Sequence, residues 1–327
     1  MVQYAMNDGP REQNGERMSR TPIMIAVGGD SGTGKTTLCR GLFNIFGAER
    51  IETICLDDYH SLDRAQRKAV GLTALDPRAN NFALMEEQLS RLRDGYGIDK
   101  PIYDHADGTI KGPEHIDPKE IIVVQGLFPL FTRALRSLFD VTVWLDPETD
   151  LKVAWKIQRD VSQRGYQEAA VREEIEKRQP DIRAYIQPQA QRADVLVRFQ
   201  RPEGVVEYDN ARLTAWIRKS GRFKPLDYSE FASHSTSLRE MKHDSGNGFP
   251  ETIIELDGRV DDITAQALQD KIWSHMETHV HLRPPKLGEF QDHRGPNVSH
   301  SLALAQLLIA RRICLVENEL LGQAVAQ

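Results

Sequence analysis

The sequence predicts an α/β fold: a parallel sheet with helices on both faces, followed by a C-terminal α/β extension of the same body. Three observations carry this expectation. Short β-favouring runs alternate with helical stretches from residue 22 to about residue 162. The runs are apolar almost without interruption, as strands buried on both faces are, and such strands pair in parallel. A glycine-rich turn ending in Lys-Thr stands between the first run and the first helical stretch.

Taken in order, residues 22–27 (PIMIAV) form the first strand, and Leu38, Leu42, Phe43 and Phe46 give the following helix an apolar stripe. A second strand at 51–56 stops at Asp57-Asp58, and residues 82–92 repeat Phe82, Met85, Leu89 and Leu92 at helical spacing. Strands at 121–124 and 141–145 follow, separated by a helical segment rich in leucine and arginine, and Pro147 opens a helix that runs to about Ser162. Past residue 205 the texture changes. Residues 211–219 alternate like a half-exposed strand, 252–256 (TIIEL) read as another, and 232–249, rich in Ser, Gly, His and Asn, read as a loop. Residues 261–281 and 299–320 look helical. The expected organisation is a disordered tail at 1–20, a nucleotide-binding core at 21–205 and the extension at 206–327.

Composition narrows the function. Of 327 residues 40% are hydrophobic and 28% charged, ordinary values for a soluble globular protein. Lys+Arg 42 against Asp+Glu 48 gives a net charge of −6, which argues against a nucleic-acid partner. No apolar run has the length to span a bilayer, and residues 1–20 lack the apolar segment of a secretory signal. Cys39, Cys55 and Cys314 are odd in number and form no CxxC pair, which fits a reducing cytosol.

The strongest single signal is Gly29-Asp30-Ser31-Gly32-Thr33-Gly34-Lys35-Thr36, a match to G-x-x-x-x-G-K-[ST] in the strand–turn–helix setting that gives the motif its meaning. Its glycines let successive N–H groups turn toward phosphate oxygens, and the helix start adds its positive end. Lys35 would reach the β- and γ-phosphates and Thr36 would ligate magnesium, with Thr37 completing the ATP-binding run. The fold expected is therefore P-loop NTPase-like. GTPase switches, ATPase motors and small-molecule kinases all share the motif.

The end of a parallel strand faces the ligand crevice, so Asp57 can accept a proton from an acceptor hydroxyl. An acidic helix start with Asp58 as N-cap accounts for the pair equally well. Lys156, Asp160 and Arg164, each four apart, share one helix face, with Arg159 beside them. Cations so placed suit either a solvated face or a lid over a transferring phosphoryl.

Four blocks, LDDYHSLDR (56–64), TALDPRANNF (73–82), KPIYDH (100–105) and AWKIQRD…RG (154–165), together resemble phosphoribulokinase of the plant, cyanobacterial and archaeal form. The likeness continues through 178–195 and, more weakly, to the end of the chain. It implies ATP- and magnesium-dependent phosphorylation of D-ribulose 5-phosphate by a homodimer. Carried over, Asp57 resembles the catalytic base, and His60 and Arg64 contacts to the sugar phosphate. By the same resemblance Tyr103 and His105 sit where the family shapes the acceptor pocket, Lys156, Arg159 and Arg164 match its lid cations, and Asp160 matches a carboxylate near the metal. A planar guanidinium at Arg64 suits a dianionic phosphate, which a nucleoside acceptor lacks. A uridine- or pantothenate-type kinase, and a nucleotide-binding regulatory homologue with weak turnover, remain as alternatives.

The pattern departs at two places. Where the family ends the strand at 121–124 with Glu-Gly-Leu-His-Pro, this chain has Gln125-Gly-Leu-Phe128-Pro, so the usual carboxylate is missing. Thr33 stands where the plant enzyme carries one redox-active cysteine, leaving Cys55 without that partner, so no thioredoxin-type switching is expected. His275, His279 and His281 offer an i, i+4 pair but no completed zinc set.

Overall fold

The computed structural model describes residues 17–18, 20–204, 209–219, 237–244, 250–277, 279–280, 284, 287–292 and 295–325. The expected tail at 1–20 falls mostly outside the described residues. Of its described part, Met18 donates its N–H to the Gly95 carbonyl and Arg20 pairs with Glu317.

Among the described residues, eight strands form one sheet in the order β2-β5-β1-β6-β7-β8-β10-β9. The first five, β2 (Ile51–Cys55), β5 (Ile121–Gly126), β1 (Ile23–Gly29), β6 (Val141–Leu145) and β7 (Val195–Gln200), are parallel. The last three, β8 (Thr214–Lys219), β10 (Pro250–Leu256) and β9 (Leu238–Asp244), continue it antiparallel. The loop expected at 232–249 is thus partly a strand: 238–244 pair with β10, and 232–236 and 245–249 lie outside the described residues. Its Arg, Lys, His and Asp hide the β-signal, because pairing here comes from the neighbouring hairpin strand and not from an apolar face.

The sheet is covered on both sides because its central strands are apolar in both registers. Ile23, Ile25, Val27, Ile121, Val123, Val141 and Val143 pack against α1 (Lys35–Phe46) and the C-terminal helix α8 (His300–Val325). Met24, Ile54, Ile122 and Val124 turn the other way, onto α3 (Phe82–Arg93) and α4 (Arg133–Ser137). At about 1.5–3 kcal/mol per buried side chain, this double coverage is the main stabilising term. Helix α7 (Asp262–Ser274), capped by the Asp261 carboxylate, packs beside α8. No helix among the described residues is long and apolar enough to cross a membrane.

A hairpin, β3 (Ile98–Tyr103) and β4 (Ile110–Ile116), stands apart as its own two-stranded sheet. The parallel register sets the C-terminal ends of β1, β2 and β5 together, with Val27 and Cys55 beside Gln125. The site is built on that edge.

Candidate active site

The turn between β1 and α1 forms the floor of a cleft of about 1070 Å³. Gly32 and Gly34 have φ of 86° and 89°, in the left-handed region where glycine is favoured. A Cβ on Gly32 would stand 2.8 Å from the Lys156 Cβ. Gly34 caps α1 with no side chain, and no acid sits in the first turn, so the helix's leading N–H groups are left for an anion. Lys35 Nζ donates to the carbonyls of Gly29 (2.8 Å) and Asp30 (2.7 Å). Desolvation, helped by Arg159, draws its pKa down against the pull of Asp57 and Asp30.

Residues 31–37 all line the cleft; Gly29 and Asp30, expected there, do not. Asp30 turns its carboxylate to the Ser31 N–H (2.6 Å) and to Lys152 Nζ (3.1 Å), so it shapes the turn from behind. Thr33 is buried, with its hydroxyl donating to the Asp30 carbonyl.

The chain leaves β2 in a tight helical turn, Leu56–Tyr59, which sends its two acids apart. Asp57 lines the cleft. Asp58 accepts from Lys100 Nζ and from the Tyr103 N–H, each at 2.8 Å, and pins β3 in place. It is therefore neither base nor N-cap, a third role that the local sequence did not suggest. Desolvation would raise the Asp57 pKa, but the charges of His60, His105, Lys35 and Arg178 outweigh it and hold the carboxyl below 3.8. His105 Nε2 is 3.7 Å from Asp57 Oδ2.

Around Asp57 the expected acceptor residues converge. The His60, Tyr103 and His105 rings meet edge to face, with centroids 4.9 and 5.0 Å apart. Asn80 donates its amide to the Ala74 and Asp76 carbonyls, which orients Oδ1 toward His60 Nδ1 (3.0 Å) and makes that nitrogen the donor. Arg64 spends its guanidinium on the His105 and Ala106 carbonyls at 2.7 and 3.4 Å, holding the tip of the β3–β4 hairpin. Arg67, which shares the short helix α2 (Arg64–Ala69) with Arg64, was not singled out from the sequence. It is buried, donates to Tyr103 Oη (2.8 Å) and lies 5.3 Å from that ring's centroid. Its position one helical turn after Arg64 was the available signal.

On the opposite wall stand α5 (Thr149–Ser162), which carries the cations expected to form a lid, and α6 (Glu168–Lys177). Asp160 is 1% exposed and surrounded by cations: Lys156 Nζ at 2.6 Å on Oδ2, and Arg159 and Arg164 at 2.9 and 3.3 Å on Oδ1. Burial would raise its pKa, but Lys156 and Arg159 hold it low. Both carboxylate oxygens expected near a metal are thus engaged by the lid's own cations. Arg159 also donates to Ser31 Oγ (2.9 Å), joining lid to cradle.

Gln125 lines the cleft at the end of β5, in register with Cys55. Among the described residues no three carboxylate, His or Cys side chains cluster to hold a metal, and His279 is paired instead with Glu317 (2.9 Å). The Thr36 hydroxyl, the Gln125 amide oxygen and Asp57 remain as hard oxygen donors lining the cleft. They fit a magnesium ion held chiefly by phosphates and water. Beyond the cradle the cleft continues between Trp155, Phe199, Leu213, Phe290 and Leu302, with Asn210 accepting from the Trp155 indole at 2.8 Å. This apolar slot suits a planar base. It was invisible in the sequence because β7, α8 and the β11 (Glu289–Asp292) turn all contribute to it.

A phosphate cradle at a strand end, a carboxylate across from it and a cationic lid above define a P-loop kinase. Comparison with known proteins agrees. A sequence profile of the Phosphoribulokinase / Uridine kinase family matches residues 24–205. The chain is 36% identical over 326 residues to "Phosphoribulokinase" of Synechocystis sp., covering 92% of this chain and 96% of that one. It is 34% identical over 341 residues to "Phosphoribulokinase, chloroplastic" of Mesembryanthemum crystallinum, covering 93% and 85%. The solved phosphoribulokinase from Rhodobacter spheroides has the same fold, with a TM-score of 0.56 at 18% identity over 80% of this chain and 99% of that one. The chain belongs to the phosphoribulokinase / uridine kinase family.

Proposed function

We propose that this chain transfers the γ-phosphoryl of ATP to the 1-hydroxyl of D-ribulose 5-phosphate, giving ribulose 1,5-bisphosphate and ADP. The observation that carries the reading is the floor beside Asp57, where Arg64, Arg67, His60, Tyr103 and His105 converge. Cationic and aromatic donors around one carboxylate suit a phosphorylated polyol, for which a nucleoside pocket would have no need. Likeness over more than nine-tenths of this chain to proteins named phosphoribulokinase supports the same acceptor.

In this reading the cradle N–H groups and Lys35 bind the triphosphate, and Lys35 exchanges its carbonyl partners for phosphate oxygens. Asp57 accepts the hydrogen bond of the 1-hydroxyl and aims it at phosphorus. A carboxylate with a depressed pKa is a weak base, which suits a loose transition state in which the proton leaves late. Lys156, Arg159 and Arg164, held by Asp160, close over the transferring group and exclude water. Magnesium bound by Thr36 and Gln125 would neutralise phosphate charge. The reading includes a homodimer in the cytosol.

The test is ADP release with ribulose 5-phosphate, uridine or no acceptor in parallel. Turnover that needs ribulose 5-phosphate supports the proposal; turnover with uridine alone would replace it with a nucleoside kinase. Tight ATP binding with no turnover on any acceptor would favour a regulatory homologue disabled at Gln125.

A further inference from the structure

We infer that Arg178, at the C-terminal end of the lid helix α6, is a further catalytic cation that grips the γ-phosphoryl group, and that Glu174 occupies its place until the triphosphate arrives. The inference rests on the kinase reading of the cleft. The Arg178 side chain is only 9% exposed, and its Nη1 reaches Glu174 Oε1 at 3.1 Å. Its Nε is buried with no hydrogen-bond partner in the protein. A buried donor left unmet is costly, and a turn of the side chain onto a ligand oxygen would relieve it.

Position says which ligand. Arg178 lines the main cleft and also the small cavity behind the cradle formed with Asp30, Ser31 and Lys156. Its charge lowers the pKa of Asp57 on the acceptor side, of Asp30 in the cradle and of Lys156 in the lid. It stands between cradle and lid, lining the cleft that a transferring phosphoryl must cross. Glu174 is half exposed and shared by Arg178 and Lys156, the latter at 4.0 Å. Two cations on one carboxylate form the arrangement that a phosphoryl dianion can take over, with more oxygens to offer. A helix-end ion pair alone would explain the Nη1 contact. It would not explain why the same side chain lines both the cleft and the cavity behind the cradle while its buried Nε lacks a partner.

ADP lacks the γ group, so the comparison of ADP with a non-hydrolysable ATP analogue isolates the contact. In calorimetry on the full chain, Arg178→Gln should leave the ADP dissociation constant within about twofold and weaken the analogue about tenfold, the loss of one charge-assisted contact. Its kcat should fall about 10²-fold or more, as for other single transition-state donors. Arg178→Lys should recover part of the loss. Glu174→Gln should tighten the analogue severalfold and leave ADP unchanged. Parallel loss of ADP and analogue binding in Arg178→Gln would make the residue a structural brace, and a kcat within twofold of wild type would also overturn the proposal. If Arg178→Gln fails to fold, an unchanged ADP-to-analogue ratio in Glu174→Gln overturns it instead. A wild-type chain silent with ribulose 5-phosphate would refute the acceptor reading while the nucleotide comparison still decides on Arg178. A wild type that binds neither nucleotide would sink both.

Discussion

At Gln125 the chain keeps the length of a glutamate and one carbonyl oxygen and gives up the charge. Restoring it should matter most where magnesium is scarce: Gln125→Glu is expected to lower the magnesium concentration for half-maximal rate. An unchanged or raised requirement would show that the oxygen alone suffices. The two imidazoles beside Asp57 set a pH dependence. Desolvation lowers the pKa of His60 and of His105 below 6.5, with the nearby arginines adding to it and Asp57 opposing. A depressed folded pKa means that the unfolded chain binds the proton more readily. The contribution to stability is thus complete above 6.5 and is lost as pH falls through the folded values. Melting temperature should decline on acidification below about pH 6.5, and His105→Asn should flatten that decline. Thiol chemistry should be quiet. Desolvation, then Asp57 and Asp58, push the Cys55 thiol far above its usual range, and burial takes Cys39 to about 12. Treatment with a thiol oxidant and then dithiothreitol should leave the rate unchanged; a reversible severalfold change would contradict this.

Among the elements, the lid depends on one carboxylate serving three cations. Asp160→Asn should leave Lys156, Arg159 and Arg164 repelling one another and cost about 3 kcal/mol or more in stability, the usual penalty for breaking a buried pair. Denaturant unfolding would measure it, with kcat expected to fall alongside. The lid's helical spacing was plain in the sequence, since 156, 160 and 164 must share a face. That Asp160 anchors these cations was not, because the same spacing serves a metal site equally well. The cradle was legible for the opposite reason: its glycines have a backbone task that few other sequences perform. The β3–β4 hairpin escaped notice because β4 is exposed along nearly its whole length and so carries no apolar alternation. Its anchors, Asp58 on Lys100 and Arg64 on the His105 carbonyl, are long-range contacts that no local pattern encodes.

Across the whole molecule, the parallel sheet and a C-terminal extension of the same body were readable from the sequence, whereas the contacts that join the extension to the sheet were not. One apolar cluster runs from β1 and α1 through β8 and β10 to α7 and α8. Its polar rivet is Glu317, which is 6% exposed and takes Arg50 at 3.0 Å, Arg20 at 3.2 Å and His279 at 2.9 Å. Glu317→Gln is expected to cost about 3 kcal/mol, as for other buried pairs, measured by chemical denaturation. A loss below 0.5 kcal/mol, the level of a typical surface change, would show the cluster to be incidental. Closer to the cradle, Gln306 on α8 is fully buried against Gly41 and donates to the Thr37 carbonyl (3.3 Å), one residue past Thr36. That contact bears on how the chain can be cut. The family profile ends at residue 205, yet a fragment stopped there would bare the apolar side of the cradle's own helix. The kinase core of this protein is not a transplantable cassette: a chimaera that borrows it must bring α8 along, or find another lid for α1.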